Sequence, residues 1–171
     1  MKQIAFFLTL FFSIAFLPAN SQQFEKVADK DGYTVIRGIL TAQWLKTEFE
    51  HANEYNGRPP GFTPNENTVQ AIKQQADSLQ FVVFMGTWCE DSRFVIPRLF
   101  FLLDAAGYSK EKLTLIACDR DKKTLGNLTE PFRIRNVPTI VVMKNGKELG
   151  RVVEYGSGLF DKDLGEIIRR S

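Results

Sequence analysis

LQFVVFMGTWCEDSRFVIP, residues 79–97, carries the signal that decides the fold. Its first eight residues, LQFVVFMG, are an almost unbroken apolar run. Such a run suits a strand covered on both faces, as in a parallel sheet. A cysteine, Cys89, follows a tryptophan where the run stops. Beyond it Val95, Leu99, Leu102, Leu103 and Ala106 recur at the spacing of one buried helical stripe. Pro97 lies inside that helix, where it removes a donor and is expected to bend the axis. KLTLIAC (112–118) reads as a second buried strand. Strand, helix and strand at this spacing predict a right-handed parallel βαβ unit.

Working outward, VPTIVVMKNGKELGRVVEY (137–155) reads as a β-hairpin turning at Asn145-Gly146, a pair suited to a tight two-residue turn. Phe160, Leu164, Ile167 and Ile168 mark a closing helix, with Asp161 and Asp163 in its first turn and Arg169 and Arg170 in its last. The polar segment 119–136 is expected to hold short helical turns at most. Upstream, YTVIRGIL (33–40) reads as a short strand. Thr41 caps the next helix, with Leu40 and Leu45 as a hydrophobic staple. Leu45, Phe49 and Ala52 share a face, which predicts a helix running to the EYNGRPPG breaker. Thr63-Pro64-Asn65-Glu66 reads as a capping box, and Val69, Ile72 and Ala76 continue that helix. The order predicts an α/β protein: a mixed central sheet flanked by helices, with an N-terminal strand/helix extension.

The chain has 171 residues, 22 basic and 20 acidic, with no basic block that would favour nucleic acid. Lys2, an apolar core at 4–17 and small residues Ala19 and Ser21 form the pattern of a secretory signal peptide, with cleavage expected after Ser21. Fourteen apolar residues are short for a span, which takes roughly 20. The expected organisation is a signal at 1–21, an extension packed on the core at 22–78, and a core domain at 79–171. The expected location is periplasmic or secreted, with no membrane span after cleavage, and the expected state is a monomer. Export places Cys89 and Cys118 where disulfides persist.

Four separated features resemble the thioredoxin family. Trp88-Cys89 ends the first core strand. Pro97 stands eight residues past the cysteine, NVPT (136–139) matches the family's cis-proline loop, and KNG (144–146) matches its hairpin turn. GTWCEDSR and DRDKKT are also similar to small exported bacterial members. The resemblance implies a thioredoxin-like fold from about 79 to 170 and a thiol–disulfide exchange site at Cys89. It implies a docking surface for an extended client at Trp88, Val137, Pro138 and Thr139. For Val137 and Thr139, plain strand packing is the other reading, and for Trp88 a surface lid. The chain departs from the family twice. The second cysteine of Cys-x-x-Cys is replaced by Ser92, and the family's buried carboxylate is replaced by Val83.

At a helix start, unpaired N–H groups favour a Cys89 thiolate, while Glu90 and Asp91 oppose it and Arg93 can offset one of them. Ser92, one turn on, can donate a hydrogen bond to the sulfur. A single reactive thiol forms a mixed disulfide but needs another thiol for release. Cys118 is the possible resolving thiol within the chain, or else an ordinary core cysteine. The expected partners are protein or small-molecule thiols and disulfides. No cofactor or metal is expected, since histidine and cysteine show no metal spacing. The only histidine, His51, reads as a surface residue, and DRDKK (119–123) as a solvated turn from which Arg120 can steer substrate. The rival to an exchange protein is a redox-inactive binding module that keeps the docking groove beside Pro138.

Overall fold

A computed structural model describes residues 23–171; the expected signal at 1–21 lies outside the described residues. Six strands form one sheet: β1 (Phe24–Ala28), β2 (Thr34–Leu40), β3 (Leu79–Met85), β4 (Leu113–Ala117), β5 (Thr139–Lys144) and β6 (Lys147–Val153). Their order is β1-β2-β4-β3-β5-β6. Only β3 and β4 are parallel, with Phe81 opposite Leu113 and Met85 opposite Ala117; all other pairs are antiparallel. The crossover between them is α3 (Glu90–Ala105), as the βαβ pattern predicts, with Pro97 inside it.

Alternation along the central strands builds two cores. Phe81, Val83 and Met85 face the larger one, with the buried residues of α1 (Ala42–Thr47), α2 (Glu66–Gln75), α3 and α4 (Phe160–Arg169). Phe84 faces a smaller one with Ile116, Cys118, Ile134, Val137 and Val141, and Leu128 and Phe132 of the 119–136 segment pack against it. That segment holds one short 3-10 turn, Leu125–Asn127, as its polarity suggested. The β5–β6 turn sits at Asn145 and Gly146, both at positive φ, the geometry that favours these two residues.

The N-terminal region differs in detail. Strand β1 forms a hairpin with β2 that the sequence did not signal, because its residues stay half-exposed at the sheet edge. Helix α1 is capped by Thr41, whose Oγ1 accepts from the Trp44 N–H at 3.0 Å. It stops at Thr47, and the apolar face continues only as a 3-10 turn at Ala52–Tyr55. Helix α2 is capped by Asn65 rather than Thr63, so Pro64 lies outside it. Asn65 is fixed there because its backbone N–H donates to Asp161 Oδ2 at 2.8 Å, while Thr68 Oγ1 donates to the Asp161 carbonyl at 2.8 Å. A long-range tie to α4 therefore decides which residue caps α2. Among the described residues no helix is long and apolar enough to cross a membrane.

Candidate functional site

The parallel pair brings the carboxyl ends of β3 and β4 together, and the Cys118 N–H donates to the Met85 carbonyl at 2.9 Å. The chain then turns at Gly86, against which the Trp88 indole lies: a Cβ there would meet the ring at 2.6 Å. The Cys89 N–H closes this turn on the Gly86 carbonyl at 3.0 Å. Cys89 is the extended N-cap of α3 and its side chain caps nothing, so the thiol is free to point elsewhere. It is half-buried and donates to the Val137 carbonyl at 3.3 Å. The Val137–Pro138 peptide is cis. The Pro138 carbonyl accepts from the Glu154 N–H at 2.7 Å, and Thr139 Oγ1 donates to the Asn136 carbonyl at 2.7 Å. The side chains of Val137, Pro138 and Thr139 are buried, whereas Trp88 is half-buried. The loop thus offers backbone rather than side chains to a partner. The Val137 N–H has no hydrogen-bond acceptor among the described residues.

The polar residues after Cys89 make different bonds from those expected. Ser92 is fully buried, and its Oγ accepts from the Gly86 N–H at 3.1 Å. No hydrogen bond joins it to the Cys89 sulfur, because that sulfur turns to the Val137 carbonyl while Ser92 turns to the strand end. Arg93 hydrogen-bonds neither Glu90 nor Asp91 and meets Glu90 only as a nearby opposite charge. Its guanidinium forms a fork on the Glu54 carboxylate, with Nε 2.6 Å from one oxygen and the other oxygen bonded to a terminal nitrogen. Arg93 thereby holds the Glu54 carboxyl below the usual carboxylate range. Asp91 accepts from the Tyr155 hydroxyl at 2.6 Å. That bond, with the burial and the negative charge around it, pushes Tyr155 up to about 12. Tyr155 meets Phe94 edge-on at 5.5 Å, and Arg98 stacks over Phe94 at 3.4 Å.

Cys118 lies in the smaller core, against which Trp88 and Cys89 also pack. It is wholly buried, and burial pushes its thiol up to about 12. Both cysteines are free. The candidate resolving thiol is therefore brought to the site but kept neutral, as a packed core cysteine is.

The DRDKK run is the expected turn, exposed at Arg120, Asp121 and Lys123, but it is anchored at its first residue. Asp119 is buried, ion-paired to Arg37 of β2, and accepts from the Lys123 N–H at 2.8 Å. Arg120 Nε bonds Asp29 at 2.9 Å, and the guanidinium lies 4.8 Å from the Trp88 ring. The Trp88 indole N–H donates to the Cys118 carbonyl at 2.8 Å. The N-terminal hairpin thus holds the loop on which Trp88 rests. His51 lies at the surface but is half-buried; it lines a cavity with Thr87, Trp88 and Arg93 and makes no hydrogen bond to Cys89. Among the described residues no group of histidine, cysteine and acidic side chains could hold a metal.

Glu54, Tyr155 and the Arg37–Asp119 pair were missed by sequence reading. A weak signal existed for Asp119, which directly follows the strand whose carboxyl end carries Cys118. The Glu54 and Tyr155 contacts span 39 and 64 positions and leave no local pattern.

Comparison with known proteins gives consistent matches. The thioredoxin family model matches residues 62–167. A thioredoxin of Echinococcus granulosus is 35% identical over 83 residues, which is 48% of this chain and 70% of that protein. A thioredoxin of Chlamydia trachomatis is 28% identical over 101 residues, or 56% of this chain and 89% of that protein. Among solved structures, Fasciola hepatica thioredoxin aligns with a TM-score of 0.41 and 23% identity, over 59% of this chain and 88% of that one. The stretch matched by the family model takes in α2 and every residue around Cys89 from Gly86 to Arg93. It leaves out the β1–β2 hairpin and α1.

Proposed function

This chain belongs to the thioredoxin family, and on that footing we propose that it is an exported monothiol member that exchanges thiols and disulfides through Cys89. The observation that carries this reading is the half-buried Cys89 thiol beside the Val137 carbonyl, with a hydroxyl at position 92 and the other thiol packed away. The Cys89 thiolate attacks one sulfur of a client disulfide. A bond forms between Cys89 Sγ and that sulfur, the client S–S bond breaks, and the departing client thiolate takes up a proton. An extended client segment finds the unpaired Val137 N–H next to the sulfur, a short form of strand addition.

Ser92 cannot expel the client, since a hydroxyl does not replace a thiolate in exchange. Neutral Cys118 is a poor nucleophile. Discharge therefore falls to a thiol from outside, on the client or in solution. The apolar segment at 4–17 supports export, where such exchange has disulfides to act on. The test is the lifetime of the adduct. Charged with a disulfide peptide and freed of excess reagent, the chain is expected to keep its adduct until a thiol is added. Spontaneous discharge with formation of a Cys89–Cys118 disulfide would contradict the monothiol reading. A redox-inactive binding module would hold the same peptide without any covalent adduct.

A further inference from the structure

We propose that the cleft between the N-terminal segment and the Thr87–Trp88 turn binds a small zwitterionic thiol, one carrying both a carboxylate and an ammonium group, which discharges the adduct on Cys89. This rests on the exchange reading above and names its outside thiol.

Two adjoining cavities of about 310 and 340 Å³ share Thr34, Glu50 and Thr87 as walls. One of them reaches Trp88 and Arg93, the residue before Cys89 and the residue one helical turn after it. Each volume suits an amino-acid-sized molecule and is too narrow for a folded partner. Three groups at the cleft have unused bonding capacity. Thr87 is only 6% exposed, yet its hydroxyl makes no hydrogen bond among the described residues. The hydroxyl is not sealed off but opens into the cavities, where a ligand group can take the place of water. Arg120 spends only its Nε on Asp29, and its two terminal nitrogens have no acceptor among the described residues. They form a fork suited to a carboxylate. Glu50 faces only His51 Nε2, at 3.6 Å, and makes no hydrogen bond among the described residues. It is placed to receive an ammonium group.

Opposite charges on the two sides of the cleft select a ligand with both signs over one with either alone. Residues 33–50 supply Thr34 and Glu50, so the N-terminal segment creates this site on a thioredoxin core. The chemistry balances without another oxidant. A first thiolate attacks Cys89 Sγ, forming a new S–S bond and expelling the client sulfur as a thiolate, which is then protonated. A second attacks the sulfur of the bound small thiol, giving the small disulfide and returning the Cys89 thiolate. Two small thiols are oxidised for each client disulfide reduced.

The experiment loads Cys89 with thionitrobenzoate from 5,5′-dithiobis(2-nitrobenzoic acid). Its discharge is then followed with cysteine, cysteamine, 3-mercaptopropionate and 2-mercaptoethanol. Each rate is divided by the same thiol's rate with the free reagent, which removes differences in intrinsic nucleophilicity. On that scale cysteine is expected to exceed 2-mercaptoethanol by about tenfold or more and to exceed both singly charged thiols. Glu50→Gln, at an exposed turn position, and Arg120→Gln should each bring the cysteine to 2-mercaptoethanol ratio close to one. Equal normalised rates for the four thiols would overturn the proposal, as would a singly charged thiol matching cysteine or a ratio untouched by Glu50→Gln. If loading itself fails, the exchange reading falls and takes this inference with it. If loading succeeds and the thiols are not distinguished, only this inference falls.

Discussion

A Cys89→Ser protein is expected to capture no disulfide probe under conditions that convert the native chain fully to its adduct. Serine keeps the shape of the N-cap position and can still donate to the Val137 carbonyl, so the fold should survive within about 0.5–1 kcal/mol. What disappears is the nucleophile. The remaining thiol, Cys118, is buried and pushed up to about 12. At pH 7 only on the order of 10⁻⁵ of it is thiolate, so it cannot stand in for Cys89. Intact mass after exposure to the probe checks this, with thermal unfolding as the control on folding. Capture by the variant would place the reactive thiol elsewhere.

Ser92→Cys is expected to act in the opposite direction. Position 92 lies in the first turn of α3, three residues past Cys89. A thiol there competes with outside thiols for the mixed disulfide as an intramolecular group. The effective concentration gained by such groups should raise net reduction of a protein disulfide at least about tenfold. On oxidation the variant should also form a disulfide between Cys89 and the introduced thiol, which the native chain cannot. Some stability is lost, since Ser92 Oγ accepts from the buried Gly86 N–H and sulfur accepts poorly; about 1 kcal/mol is expected. The gain has a ceiling. Val83, fully buried, offers no proton acceptor behind the two sulfurs, so turnover should stay below that of a family member with a carboxylate there. Turnover of a disulfide protein with a dithiol donor, read beside the native chain, measures the effect. An unchanged rate despite a formed disulfide would show that resolution does not limit the native protein.

The fold was legible where a local pattern coincides with burial. The run 79–86, the stripe from Val95 to Ala106 and the Asn145-Gly146 turn each report their element directly, because a strand covered on both faces and a one-sided helix impose different periods on the apolar residues. Strand β1 was not legible: Glu25 and Lys26 interrupt it, and it gains its pairing only from β2 across the 29–32 turn. The cap of α2 was misplaced for a related reason. Thr63 and Asn65 both fit an N-cap, and Asp161, far along the chain, decides between them. At the site, Cys89 and the 136–139 loop were readable, since the residues that matter lie side by side. The Arg93 fork on Glu54 and the buried Asp119 were not. A single charged residue carries no periodicity, and its partner is fixed only once the sheet and the N-terminal segment have packed.

Counting reactive thiols in the native chain tests the monothiol mechanism most directly. With excess 5,5′-dithiobis(2-nitrobenzoic acid), one equivalent of thionitrobenzoate should be released by the folded protein, leaving a single adduct that maps to Cys89. A second equivalent should follow only when denaturant exposes Cys118. Release of two equivalents from the folded chain, with both thiols consumed and no adduct retained, would mean that Cys118 resolves Cys89 from within, and the monothiol mechanism would be wrong.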